Sequence, residues 1–205
     1  MNFLAHFYLA YGDSDRLAGQ FIADAVKGKN FTMYSEGIQQ GIWQHREIDM
    51  QTDGHPAVLH LRSLIRPEVG LLSSVAIDVY FDHILARRWS TYHAESLETF
   101  AAGTYSQLLT YQAVMPERMQ TTLKYMAMHD WLSQYAKVEG IQRSLLGLSK
   151  RVSGGEKLLM ASGLLEEMMT EIERAFDLVF PDLVSATKRR ILETNQPKLD
   201  PKHYI

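Results

Sequence analysis

The chain has 205 residues, of which 46% are hydrophobic and 22% charged, a balance that supports a buried core and argues against intrinsic disorder. It contains no cysteine, which excludes a disulfide framework, a thiolate metal site and a thiol nucleophile. The net charge of −3 argues against nucleic-acid binding driven by overall basicity.

The first 16 residues carry no basic segment ahead of their apolar run, and His6 interrupts that run. We therefore do not expect a signal peptide. Nor do we expect a membrane span, because no stretch approaches the roughly 20 consecutive apolar residues that one needs. These features predict a cytoplasmic protein with no membrane or nucleic-acid partner, and they leave its oligomeric state open.

Apolar residues recur at spacings of three and four along almost the whole chain, and no alternating run is bounded by turn residues. This pattern predicts an all-α fold. Capping residues, glycines and prolines predict the helix boundaries. The expected helices cover 3–11, 13–26, 32–50, a short segment from 56, 70–89, 94–113, 116–135, 139–151, 156–179 and 182–195.

No repeat, linker or low-complexity segment divides the sequence, so we expect a single helical domain spanning residues 1–205. Pro181 is expected to separate the last two helices, because a proline removes a helical hydrogen bond and clashes with the preceding turn. Residues 196–205 are expected to form a loosely ordered tail.

Five of the eight histidines fall in the first 83 residues, close to several aspartates. His45 and Asp49 are four residues apart on the expected third helix and therefore share one face of it. Asp78 and Asp82 have the same spacing on the expected helix 70–89. Because both pairs border apolar stripes, we expect them to face a crevice between helices rather than open solvent.

Carboxylates that share a crevice repel one another, and a buried charge without a partner is costly. A divalent cation would resolve this conflict. Mixed imidazole and carboxylate sets suit Mn²⁺, Fe²⁺ or Zn²⁺, whereas oxygen-rich sets suit Mg²⁺ and Mn²⁺. Because acids outnumber imidazoles here and cysteine is absent, we favour Mn²⁺ or Mg²⁺ over structural zinc. Such an ion could activate water and neutralise a phosphoryl oxygen, and the nearby Arg46 and Lys27 could hold a phosphate.

Each of these residues also has an ordinary structural explanation. His45 and Asp49 could form a surface pair along the helix. Asp78 and Asp82 could lie on an exposed strip, and His6 alone could be a hydrogen-bonded core histidine. Four segments bearing His or Asp, at 2–6, 23–28, 45–56 and 78–83, fall within the first 83 residues, and together they favour a functional site.

Seven short motifs occur in a recognisable order along most of the chain: N-F-L-A-H at 2–6, D-x-V-K-G at 24–28, G-I-x-x-H-R-x-I-D at 41–49, T-D-x-H-P at 52–56, D-V-x-F-D-H-x-L-A at 78–86, D-W-L-x-x-Y at 130–135 and L-S-x-R at 148–151. Together they resemble the acyl carrier protein phosphodiesterase family. The resemblance implies an all-helical relative of the His-Asp (HD) phosphohydrolases. It also implies a Mn²⁺-dependent hydrolase that removes 4′-phosphopantetheine from holo acyl carrier protein and leaves the apo form.

The resemblance, joined to these residues, implies a set of roles. The metal ligands would be Asp24, His45, Asp78 and Asp82. Asp49 would be either a further ligand or a neighbour that orients the ligands. His6 or His83 would act as the general acid or base. Arg46 would stabilise the negative charge that develops during the reaction.

A protein substrate requires a docking surface. Acyl carrier proteins are acidic, so a basic patch is expected to steer their approach. The cations ranked first flank the metal-binding helices in sequence: Arg62, Arg66, Arg87 and Arg88. Two further candidates lie at 150–151 and 188–190.

Two other functions compete with this prediction. The first is an HD-type phosphohydrolase that acts on a nucleotide or another small phosphoester. The second is a helical binding protein without catalytic activity, whose acidic residues would be exposed and unpaired. A di-iron bundle is disfavoured because the Glu-x-x-His pairs of such bundles are missing.

Overall fold

The computed structural model describes residues 1–28 and 31–195, and within these ranges it contains helices and no strand. The all-α prediction is thereby confirmed. The tail expected at 196–205 lies outside the described residues.

The helices are connected mainly by short turns, four of which are single 3-10 turns: Ala23–Ala25, Gly70–Leu72, Gln112–Val114 and Gly155–Lys157. The α-helices in chain order are α1 (Phe3–Tyr8), α2 (Ser14–Ile22), α3 (Glu36–Gly54), α4 (Pro56–Val69), α5 (Ser73–Arg87), α6 (Trp89–Tyr92), α7 (Leu97–Thr110), α8 (Glu117–Met128), α9 (Trp131–Gln134), α10 (Val138–Ser149), α11 (Leu158–Glu167) and α12 (Met169–Asn195).

Two prolines were used to predict helix boundaries: Pro56 does start a helix, whereas Pro181 does not separate two. Pro181 lies inside α12, so the expected break there was wrong, and the preceding helix, α11, ends instead at Glu167. Phe176, Val179 and Phe180 are buried on α12, and their packing against the core carries the helix through the proline. The segment from Pro56 is also longer than expected, since α4 runs for 14 residues.

Helix α5 forms the centre of the core. Ile77, Phe81, Ile84 and Leu85 have no exposed surface, and the hydroxyl of Tyr80 donates a hydrogen bond to a carbonyl of α11. Helices α1, α4, α10, α11 and α12 pack around it.

One long segment, Pro56–Arg87, is apolar enough to cross a membrane by length and composition, contrary to the expectation from sequence. However, 67% of its most apolar window is buried inside the protein. That burial is typical of a core helix, so the segment is weak evidence for a membrane span.

Helices α2 and α3 cross with their backbones in direct contact at Gly19 and Gly41. A Cβ atom on Gly19 would collide with the carbonyl of Ile38, and one on Gly41 with the carbonyl of Arg16. The absence of side chains at both positions brings α2 against the first half of α3. This crossing places the candidate site residues of the two helices side by side.

Candidate metal centre

Histidine and aspartate side chains from three parts of the chain converge at this crossing. His45 and Asp49 lie one turn apart on α3, and His6 of α1 faces them. Asp24 follows α2, in the 3-10 turn. We call these four residues, His6, Asp24, His45 and Asp49, the His/Asp cluster.

Atoms of the cluster lie within hydrogen-bonding distance of one another. His45 Nε2 is 3.2 Å from Asp49 Oδ2 and 3.3 Å from Asp24 Oδ1, and His6 Nε2 is 3.1 Å from Asp49 Oδ1. The two imidazole rings stack with centroids 3.8 Å apart. Both histidines are buried, whereas the Asp24 side chain is 73% exposed, so the cluster opens to solvent at Asp24.

The two imidazoles differ in charge. Burial and the neighbouring His45 lower the pKa of His6 to about 4. Burial also acts to lower the pKa of His45, but hydrogen bonds and charges of Asp24 and Asp49 outweigh it and raise that pKa to about 9. Burial acts to raise the pKa of Asp49, but hydrogen bonds from the two histidines hold it well below its usual range. At neutral pH a proton on His45 is therefore shared between two carboxylates, beside a neutral His6.

Gln20 of α2 completes the surroundings of His6 and was not foreseen from the sequence. It is fully buried, and its Oε1 lies 2.9 Å from His6 Nδ1. A donor proton on Nδ1 leaves the lone pair of Nε2 directed at Asp49. The only sequence signal for this contact is a glutamine inside the apolar run 17–23.

The donor set fits a divalent cation. One ligand atom from each of His6, His45 and Asp49 lies within 4.8 Å of the others, and the shortest separations match the roughly 3–4 Å between ligands of an ion bound at about 2.1 Å. In the Nε2-lone-pair tautomer, His6 Nε2 faces two further acceptors, Asp49 Oδ1 and the carbonyl oxygen of Met1 at 3.0 Å. Converging acceptors of this kind require a cation or a shared proton among them.

Asp78 borders the cluster through a shared cation. The α-ammonium group of Met1 lies 2.7 Å from Asp78 Oδ1 and 3.5 Å from Asp49 Oδ1. Burial acts to lower the pKa of this amino group, but the charges of Asp78 and Asp49 outweigh it and raise the pKa to about 10. Burial raises the pKa of Asp78 itself. The ligand role foreseen for Asp78 stays a prediction.

Asp82 has a structural task in the same region. It is fully buried, and its two carboxylate oxygens accept hydrogen bonds from the backbone N–H groups of Leu4 at 2.7 Å and Ala5 at 3.1 Å. Burial raises its pKa to about 7, although these two hydrogen bonds act in the opposite direction. Asp82 therefore caps the start of α1, and the structure does not bring it into the cluster.

His83 and Arg46, foreseen as catalytic residues, also lie outside the cluster. His83 Nδ1 donates to the carbonyl of Tyr135 at 2.7 Å, and its buried Nε2 has no partner among the described residues. Arg46 donates to the carbonyls of Val26 at 2.6 Å and Gly28 at 2.7 Å. It therefore anchors the loop that follows Asp24.

The cations foreseen for substrate binding, Lys27 for the phosphate and four arginines for docking, divide into paired and free side chains. Arg62 pairs with Asp53 at 2.6 Å, and Arg88 pairs with Glu173 at 3.0 Å and Asp177 at 2.6 Å on α12. Arg87 also faces α12, with Glu173 3.9 Å away. In contrast, Lys27 and Arg66 are exposed and form no ion pair within the described part of the chain.

A cavity of 520 Å³ opens between the start of α1 and helices α9 and α10. Asn2 lies on its wall, immediately after the residue whose amino group contacts the His/Asp cluster. The Asn2 side-chain amide donates to the hydroxyl of Tyr135 at 3.2 Å, which ties the two sides of the cavity together. His129 also lines this cavity, which brings the second half of the chain next to the first.

Comparison with known proteins assigns the chain to a family. The sequence model of one family, described as acyl carrier protein phosphodiesterase, matches residues 1–183. Proteins with that name from Salmonella agona (strain SL483) and Salmonella dublin are each 31% identical over 193 residues, 94% of this chain and the full length of the relative. The Salmonella heidelberg (strain SL476) relative is 30% identical over the same coverage. No solved structure matches the chain.

The fold and these relatives define an all-α enzyme of the hydrolase class. The chain belongs to the acyl carrier protein phosphodiesterase family. The resemblance noted in the sequence is thereby confirmed, and a binding protein without catalytic activity is set aside. The kinship with HD phosphohydrolases stays a prediction.

Proposed function

We propose that this chain hydrolyses the phosphodiester that joins 4′-phosphopantetheine to a serine of holo acyl carrier protein. Water adds to the phosphorus, the bond from phosphorus to the serine oxygen breaks, and that oxygen takes up a proton. The products are apo carrier protein and 4′-phosphopantetheine. The substrate class rests on the name shared by the family and its relatives.

The observation that carries the chemistry is the convergence of His6, His45 and Asp49 on one point. We propose that these side chains hold Mn²⁺, or Mg²⁺ or another divalent cation, with Asp24 at the open side. A bound cation supplies Lewis acidity toward water and a phosphoryl oxygen. Gln20 keeps the Nε2 atom of His6 directed inward.

The exposed groups of the loop after α2 complete the proposal. Asp24 is exposed, and the hydrogen bond with His45 lowers its pKa, so it is ionised and able to orient an attacking water. Lys27 is exposed three residues later and is available to the phosphate. Arg46 fixes the loop that carries both residues.

The test uses purified, chelator-treated protein with holo acyl carrier protein, with and without added Mn²⁺ or Mg²⁺. Intact mass spectrometry is expected to reveal loss of phosphopantetheine only when a divalent cation is present. Asp49→Asn should abolish turnover, whereas Asp53→Asn, an exposed aspartate near the end of the same helix, should retain it. An unchanged carrier beside turnover of a nucleotide panel would favour the small-phosphoester alternative.

We also propose that docking uses the free cations, Lys27 and Arg66, more than the paired ones. A cation that is already paired with an acid of its own chain is partly neutralised, so it attracts an acidic partner less strongly. We further propose a cytoplasmic location, which the absence of a disulfide framework fits.

A further inference from the structure

The cavity beside α1 lies next to the candidate metal centre, because the start of α1 contributes to both. Met1 contacts Asp49 and Asp78 through its amino group, and the next residue, Asn2, forms part of the cavity wall. Adjacent Cα atoms are about 3.8 Å apart, so the cavity wall begins one residue after Met1, whose carbonyl oxygen lies 3.0 Å from His6 Nε2. This neighbourhood is the basis for considering the cavity together with the cluster.

The walls of the cavity have a distinct chemistry. Phe3, Trp131 and Leu148 contribute apolar surface, and Gln134 and Ser144 contribute neutral hydrogen-bonding groups. Its two charged side chains other than histidine are arginines, at 143 and 151, and it has no acidic residue among the described ones. Such walls disfavour a cationic ligand and suit a neutral chain attached to an anion.

We propose that this cavity binds the pantetheine arm of the substrate while the phosphodiester lies at the His/Asp cluster. This inference rests on the proposed function. The arm has a branched apolar group and a pair of amides, which match the aromatic surface and the neutral polar groups of the walls. The volume of 520 Å³ is within the roughly 300–1,000 Å³ range of small-molecule sites.

Gly147 offers a way to fill the cavity without disturbing the fold. It lies inside α10 on the cavity wall, and a Cβ atom there would meet no atom within 4 Å. Gly163 is a matched control because it lies inside α11, is exposed, has equally open space and is not part of the cavity. Both changes to leucine replace a helical glycine by a good helix former, so neither should destabilise the protein.

The first measurement is the affinity of the metal-loaded protein for pantetheine, by isothermal titration calorimetry, together with hydrolysis of holo carrier protein. Gly147→Leu is expected to weaken pantetheine binding and to lower kcat/KM, each by about tenfold or more. Gly163→Leu should leave both quantities within about twofold of their values for the unmodified chain. Equal values for both variants would overturn the inference. Failure of the unmodified protein to hydrolyse holo carrier, with pantetheine binding that still depends on Gly147, would overturn the proposed function alone. Failure of the unmodified protein to bind pantetheine would overturn the inference.

A second variant protects the test against misfolding of the first. The chain has no cysteine, so Gly147→Cys introduces a single thiol. Its thiolate attacks the disulfide of pantethine, forming a mixed disulfide and releasing one pantetheine thiol. The rate with pantethine, divided by the rate with hydroxyethyl disulfide, should be higher for Gly147→Cys than for Gly163→Cys. Equal ratios would contradict binding of the arm in this cavity.

Discussion

His45 is the residue whose charge decides the state of the candidate metal centre. It is buried between Asp24 and Asp49, and their negative charges favour its protonated form. A cation that binds the same two carboxylates must displace that proton, so metal and proton compete for one position. His6, stacked on the same ring, is already neutral at physiological pH and does not add to this competition.

The raised pKa of His45 predicts that the stability of the metal-free protein depends on pH. Because the pKa of His45 is raised from 6.5 to about 9, its contribution to stability is fully present below pH 6.5 and is lost as the pH rises through about 9. Each pH unit in this window should remove up to about 1.4 kcal/mol of unfolding free energy from this group.

Urea unfolding between pH 6.5 and 9.5 in the presence of a chelator measures this effect as the difference between the unmodified chain and His45→Gln. The difference cancels the parallel titration of the Met1 amino group. A difference that does not change with pH would disprove the assignment.

At the scale of single helices, α1 depends on α5 for its anchoring. Helix α1 has only six residues, too few to be stable alone, and Asp82 of α5 binds its first free N–H groups. Because α1 carries His6, this contact also positions a member of the His/Asp cluster. Removing a carboxylate from this acidic region should therefore destabilise the protein rather than relieve repulsion.

We expect Asp82→Ala to lower the free energy of unfolding by about 2–4 kcal/mol, because two buried N–H groups lose their acceptor. Asp13→Ala is a suitable comparison, since Asp13 caps α2 at a more exposed position. It should cost about 1 kcal/mol. Urea denaturation of the two variants measures both values. A more stable Asp82→Ala protein would indicate that charge repulsion dominates at this position.

The crossing of α2 and α3 makes a second prediction at this scale. Gly41→Ala forces the helices apart at a point one turn before His45 and should cost about 1–3 kcal/mol or more. It should also weaken Mn²⁺ binding measured by calorimetry, because Asp24 and His45 separate. Gly103→Ala on α7, where the space is open, should instead raise stability by about 0.5–1 kcal/mol and leave Mn²⁺ affinity unchanged.

For the whole molecule, the arginines at the end of α5 bind the longest helix to the core. Arg88 contacts Glu173 and Asp177, and Arg87 approaches Glu173. Exposed pairs of this kind contribute up to about 1 kcal/mol each. Their charge is balanced within the chain, whereas the charge of Arg66 is not balanced within the described residues.

We therefore expect Arg66→Glu to raise KM for holo carrier protein by roughly 3- to 10-fold with little change in kcat, an effect that should shrink at high salt. Arg88→Glu should mainly lower thermal stability, since it places a third acid beside Glu173 and Asp177. Steady-state kinetics at two ionic strengths and thermal melting separate these effects. A larger rise in KM for Arg88→Glu would reverse the assignment.

The sequence was most informative where an interaction lies within one helix. The spacing of His45 and Asp49 predicts their shared face, and the apolar periodicity predicts the all-α fold. Contacts between distant segments left weaker signals. Nothing in the spacing of Asp82 indicates that the backbone of α1 will meet it, 77 and 78 residues away along the chain.

Two further differences between the sequence predictions and the structure also arise from contacts between distant segments. Arg46 appears catalytic in sequence because it adjoins His45, but the free carbonyls after α2 become its partners only once α2 and α3 cross. The polar role of Gln20 is equally hidden, since a single amide in an apolar run acquires its partner, His6, from another helix. Local sequence patterns predict the helices, whereas the roles of Arg46 and Gln20 depend on contacts that form only in the folded protein.

The hydrogen bond between Asn2 and Tyr135 joins two parts of the chain that have different proposed tasks. All members of the His/Asp cluster precede residue 50, whereas most of the cavity wall comes from 129–151. Because the two segments are separate in sequence, the cluster residues and the cavity residues can change independently during evolution. We expect homologues that keep the first part and alter the second to cleave different esters with the same chemistry, and a graft of 129–151 to transfer that preference between them.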